Sequence, residues 1–114
     1  MGKPWVLDDL KIPDEVKEIL RNFTSRIEER FSDVQVYLFG SYARGDWLHD
    51  SDIDLIIVSK AFEGLDISKR YNLVRRMLPA TVSVELLLYT PEEFRNAKHS
   101  VIIGDAERYW IRLL

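Results

Sequence analysis

A chain of 114 residues, 46% apolar and 31% charged, fits one soluble domain with a real core, residues 1–114, though a small one for an independent enzyme. A formal net charge of −3 does not fit a broadly basic nucleic-acid binder, so direct nucleic-acid binding is not expected. The absence of cysteine excludes a disulfide framework and a thiolate zinc site. No run is long and apolar enough to span a membrane, and residues 1–10, with Pro4, Trp5, Asp8 and Asp9, lack an apolar leader core. The expected location is the cytoplasm.

Residues 1–11 carry Trp5, Val6, Leu7 and Leu10, which fit either a short helical turn or an arm. Pro13 followed by Asp14 and Glu15 reads as a helix start. Val16, Ile19, Leu20, Phe23, Ile27 and Phe31 then recur at helical spacing, among residues of both charge signs. This predicts an amphipathic scaffold helix ending near Phe31-Ser32. Val34, Val36, Leu38 and Phe39 predict a buried strand closed by Gly40.

Gly40-Ser41 forms the turn after that strand. Glycine lets backbone approach a ligand closely, Ser41 is placed to cap a short helix over 41–46, and a helix start just past a strand suits a phosphate. Arg44 follows closely and could offer a charged fork to the same group. Trp47 and Leu48 lie in the next loop, where pinning the loop to the core is favoured over stacking on a base. His49 reads as a loop histidine, and His99 is too far along the chain to form a ligand motif with it.

Asp52 through Val58 predicts a second strand. Side chains alternate along a strand, so Asp52 and Asp54 point the same way, about 7 Å apart. Two adjacent carboxylates repel, and a divalent cation relieves the repulsion; hard oxygen ligands favour Mg²⁺. A lone Asp-x-Asp is more often a solvated edge, and a lone Gly-Ser is usually a plain turn. Their joint occurrence, ten residues apart and between two apolar strands, points to a site.

After a connection at 60–66, Ile67, Tyr71, Val74 and Leu78 predict a helix over 68–78 that is stopped by Pro79. Its Lys69, Arg70, Arg75 and Arg76 read as a solvated face, in preference to one that meets an acidic partner or the triphosphate tail. Residues 81–89 form a third strand, central or covered, in which Glu85 is the lone acid. Thr90, Pro91 and Glu93 sign a capped helix carrying Phe94, Ala97, Val101 and Ile102 and ended by Gly104. The apolar tail 107–114 reads as a last strand or helical turn, with Trp110 in the core or at an interface. The expected fold class is α/β (α+β): a mixed sheet, helices mainly on one face, and a site where the first two strands meet.

The block GSYARGDWLHDSDIDLIIVS resembles the signature of the DNA polymerase β-type nucleotidyltransferase superfamily, GS-x10-D-x-D. In length the chain looks like the minimal, single-domain members. The specific likeness covers Gly40 to Asp54, and the flanks agree in pattern. The resemblance implies transfer of a nucleoside monophosphate from a nucleoside triphosphate, ATP by preference, to a hydroxyl, with two Mg²⁺. It implies that Gly40 and Ser41 grip the triphosphate and that Asp52 and Asp54 ligate the metals. A third carboxylate, usually Asp, falls on Glu85, one methylene longer; it or Asp54 would take the hydroxyl proton.

Nothing in 114 residues leaves room for an acceptor-binding domain, so the acceptor surface must come from another chain. Minimal members are commonly paired with a helical HEPN-domain protein as a toxin–antitoxin module, which implies an antitoxin that modifies its partner on a tyrosine. A homo-oligomer would also fit. A catalytically weak nucleotide-binding or partner-masking module is the alternative. An antibiotic-type small-molecule transferase is the weaker one.

Overall fold

The computed structural model describes residues 4–114, and side chains from Val6 onward. The packing expected of Trp5 lies outside the described residues. Helix α1 (Pro4–Asp9) leads into α2 (Asp14–Arg30), which starts after Pro13 as its acids suggest. Val16, Leu20, Phe23 and Ile27 make one buried row on α2, and Leu7 of α1 packs into the same cluster. Burying each such side chain contributes about 1.5–3 kcal/mol. That row, rather than helix propensity, holds α2 to the sheet.

The sheet has strands β1 (Gln35–Phe39), β2 (Ile53–Val58), β3 (Val84–Tyr89) and β4 (Ile111–Arg112), in the order β3-β2-β1-β4. Strand β1 runs antiparallel to both β2 and β4, and β2 runs parallel to β3. The alternation of β-strand side chains divides the molecule. Val36, Leu38, Ile53, Leu55 and Ile57 face α1, α2 and α4 (Ile67–Arg75). Tyr37, Ile56 and Val58 face Phe94 of α5 (Pro91–Ala97) and Ile103 and Ala106 of α6 (Val101–Glu107). The longer helices thus share one face, and two short ones cover part of the other. The mixed α+β architecture agrees with the sequence reading.

Several local expectations need correction. Strand β3 lies at the sheet edge, so of the two expectations, central or covered, it takes the second. Its Leu88 carbonyl is covered by Arg70 (3.2 Å), and Arg75 donates to the Val82 carbonyl (2.9 Å) in the segment leading into the strand. Those two arginines are therefore not a solvated face. Arg70 is 8% exposed and forks onto Glu93 at 2.6 and 3.1 Å, while Ile67 is 80% exposed and Tyr71 also faces solvent. The helical periodicity marked the wrong stripe because arginine can bury its stem while its head finds partners. Helix α4 is capped by Asp66, whose carboxylate accepts from Lys69 N–H at 2.8 Å.

The helix expected to run from Pro91 to Gly104 is two helices. Thr90 and Glu93 form the expected capping box on α5, but Ser100 caps a separate α6 and Gly104 lies inside it. Val101 and Ile102 consequently face solvent, and Ile103 and Ala106 are buried in their place. Trp110 takes the core reading, packed in tilted contact against Tyr37 (4.5 Å) and Phe94 (5.8 Å).

Candidate active site

The site grows from the point where β1 ends. Phe39 pairs with Asp54 across β1 and β2, and Asp54 pairs with Glu85 across β2 and β3. Glu85 and Asp54 therefore share a sheet face in neighbouring strands. The next residue after Phe39 is Gly40, with a φ of 73°, a region that disfavours residues bearing a Cβ. A Cβ on Gly40 would also overlap Asp54 Oδ2 and lie 2.8 Å from its Cγ. Two separate constraints, backbone and steric, thus require glycine where the chain turns into α3 (Gly40–Arg44).

Gly40, Arg44, Asp54 and Glu85 line one cleft of about 440 Å³, with Phe39 and, from α6 and the turn beyond it, Val101, Ile102, Asp105, Ala106 and Tyr109. Burial, the facing Glu85 charge, a hydrogen bond to Glu85, and Asp52 nearby push the Asp54 carboxyl up to about 7, with Arg44 opposing the shift. The Asp54 carboxyl therefore keeps its proton at a pH where a solvated aspartate has lost it. Strongly shifted groups in a cleft mark functional sites more often than structural ones.

The remaining predicted residues fall around this cleft rather than in its lining. Asp52 precedes β2, which starts at Ile53, and is exposed. It is close enough to raise Asp54 but stands in the loop, not in the strand as expected. Ser41 is the second residue of α3 and does not cap it. Phe39 holds the cap position, with no side-chain cap bond, and serine could be placed there from sequence only by ending β1 one residue late. Arg44 is tied to Asp46 at 3.2 Å, so its fork is partly engaged. Trp47 pins its loop as expected, donating to the Lys11 carbonyl at 3.1 Å and stacking on Tyr42 at 5.8 Å; Leu48 is 69% exposed and pins nothing. His49 is exposed in the same loop and does not line the cleft.

Asp105 and Tyr109 were missed by sequence reasoning. The available signal was Ser100, a good N-cap three residues before Ile103, which would have started a second helix and turned its other face to the cleft.

The family model for the nucleotidyltransferase domain matches residues 11–109. The chain belongs to that family. A Methanocaldococcus jannaschii protein, assigned by name to the protein adenylyltransferases, is 40% identical over 48 residues, 42% of this chain and 48% of the relative. The chain spans about half the length of that relative and of two others like it. A Sulfolobus solfataricus crystal structure assigned as a nucleotidyltransferase superposes with a TM-score of 0.62 at 22% identity, over 98% of this chain and 87% of that one. A crystal structure of a toxin–antitoxin with AMP-PNP superposes at 0.58 and 24% identity, over 82% of this chain and 71% of that one. At these identities the structural likeness shows the nucleotidyltransferase fold.

Proposed function

We propose that this chain is a Mg²⁺-dependent nucleotidyltransferase that moves a nucleoside monophosphate, AMP from ATP, onto a hydroxyl of a HEPN-type partner protein, acting as the antitoxin of a toxin–antitoxin pair. The observation that carries the reading is the gathering of Gly40, Arg44, Asp54 and Glu85 in one cleft of a nucleotidyltransferase-family chain. A protein acceptor and a toxin partner are supported by the protein-adenylyltransferase relatives and the AMP-PNP-bound toxin–antitoxin neighbour.

The donor set fits a hard divalent cation: Asp54 and Glu85 sit in register on neighbouring strands, and burial together with the facing Glu85 pushes the Asp54 carboxyl up. Asp52 stands next to them. Among the described residues no group of three His, Cys, Asp or Glu side chains is placed to hold an ion unaided. Phosphate oxygens and water would complete the shell, as is usual for Mg²⁺. When bound, Mg²⁺ supplies charge neutralisation at the α-phosphate and the leaving group.

The chain's own residues do the rest. The backbone at Gly40 and Ser41, free of a Cβ at its first position, receives the β- and γ-phosphates. Arg44 turns from Asp46 to the same phosphates, where its planar fork fits better than on one exposed carboxylate. Glu85 or Asp54 accepts the proton of the attacking hydroxyl, and pyrophosphate leaves.

A second reading, a nucleotide-binding or partner-masking module with feeble transfer, is favoured by the exposure of Asp52 and Glu85. Mass spectrometry separates the two. The protein encoded beside this chain is incubated with it, Mg²⁺ and each nucleoside triphosphate. A gain of one nucleoside monophosphate, lost with Asp52→Ala and Asp54→Ala together, is the expected outcome. A stable complex with no mass gain would replace the transferase reading with the binding module.

A further inference from the structure

We propose that the chain nucleotidylates itself, with Tyr109 as the acceptor; the inference rests on the transfer reading above. Among the described residues lining the cleft with Asp54 and Glu85, Tyr109 alone carries a hydroxyl. The other tyrosines near the site are occupied: Tyr42 is 5% exposed and donates to the Ser51 carbonyl, and Tyr37 is 7% exposed and donates to Gln35 at 2.8 Å. Tyr109 is 45% exposed, and its hydroxyl makes no hydrogen bond to the described residues.

Its backbone is nevertheless fixed. The Tyr109 N–H donates to the Ala106 carbonyl at 3.0 Å, and the Trp110 N–H donates to the same oxygen at 2.8 Å. Trp110 is wedged against Tyr37 and Phe94, and the Arg108 guanidinium lies 5.6 Å from the centre of the Tyr109 ring. A phenol with a free oxygen on an anchored backbone, sharing a cleft with two carboxylates, has the layout of an intramolecular acceptor.

The step balances. Tyr109 Oη attacks the α-phosphorus of the bound nucleoside triphosphate. The Oη–P bond forms as the bond from the α-phosphorus to the bridging oxygen of the β-phosphate breaks. Pyrophosphate leaves, and the phenol proton passes to Glu85. The product is a tyrosine phosphodiester at the mouth of the cleft, with its nucleoside filling the space a second substrate would need. Self-modification therefore acts as a brake on the same site.

The full chain is incubated with Mg²⁺ and ATP, and then with each other nucleoside triphosphate. Intact mass and peptide mapping read the result, and a free tyrosine-containing peptide serves as external acceptor. The expected result is one nucleoside monophosphate per chain on the peptide carrying Tyr109. Its rate per chain should not depend on protein concentration, and the gain should be lost in Tyr109→Phe, which keeps the exposed ring. Label on another residue, an equal gain in Tyr109→Phe, or a rate that rises with concentration overturns the proposal. An unlabelled chain that does modify the external peptide also overturns it and leaves the transferase reading standing. If neither is labelled, the self-transfer proposal falls, and the partner experiment above decides the transferase reading.

Discussion

A charged pair sits at each end of β3, and the two are solved in opposite ways. At its start, Glu85 faces Asp54, a second acid, whose carboxyl is pushed up to about 7 by burial and by that neighbour. Past its end, Glu93 meets Arg70 in a two-pronged ion pair, and its carboxyl is held at about 2 by that partner and by the Thr90 N–H. The second pair is a fastener. It joins α4, α5 and the β3 edge, and every polar group in it is used. The first pair is an unfinished arrangement that a cationic ligand would complete. The lesson is that complete satisfaction marks a structural ion pair, whereas an uncompensated pair at a cleft marks a binding place.

The contrast can be broken at either end. The largest effect is expected from Glu85→Gln: transfer falls about 10²–10⁴-fold, the range for losing a general base, while nucleotide binding is retained. Asp54, followed by NMR, should titrate lower than about 7 in that variant, though only part of the way because burial remains. Unchanged transfer would make Glu85 a surface residue.

Arg70→Met comes next. It keeps the stem's packing and removes the fork, leaving Glu93 and the Leu88 carbonyl without it. The cost should be about 2–3 kcal/mol by urea unfolding, below that of a fully buried pair because Glu93 is half exposed. Transfer activity should not change. A loss of transfer with little loss of stability would mean that the two ends of β3 are coupled.

The smallest effect is in the pH dependence of stability without Mg²⁺. Between the ordinary carboxyl value of 3.8 and about 7, folded Asp54 keeps a proton that the unfolded chain has released, so stability falls as pH rises through that window. Glu93 acts in the reverse sense: its contribution is present above 4.5 and is lost as pH falls toward about 2. Thermal melts should show Asp54→Asn flattening the upper limb and Arg70→Met flattening the lower one.

The sequence made the sheet and its chemistry legible where local pattern and tertiary role coincide. Alternation along 53–58 and an apolar run ending in Gly40 placed Asp54 beside the turn, and the lone acid at Glu85 proved to sit in register with it. Legibility failed where a long polar side chain was buried. Arg70 looks like surface in any periodicity count, because nothing in the local sequence announces Glu93 twenty-three residues later. It failed again at 98–100, where the apolar spacing of Phe94, Ala97 and Val101 continues across a break that only Ser100 signals. The strand order cannot be read from local pattern either. The apolar character of 84–89 fits a central strand, and Arg70 covers a carbonyl on its open side.

Strand β4 is two residues long, yet the chain leans on it. The Val36 N–H donates to the Leu114 carbonyl at 3.1 Å and the Leu113 N–H donates to the Val36 carbonyl at 2.8 Å, which closes the outer margin of β1. Strand β1 is apolar on both faces through Val36, Tyr37 and Leu38. A strand of that composition with its hydrogen-bonding groups bare is a template for further strands. The last four residues therefore work as a seal against self-association. A variant that peels them back would lose solubility before it lost a single residue of the cleft.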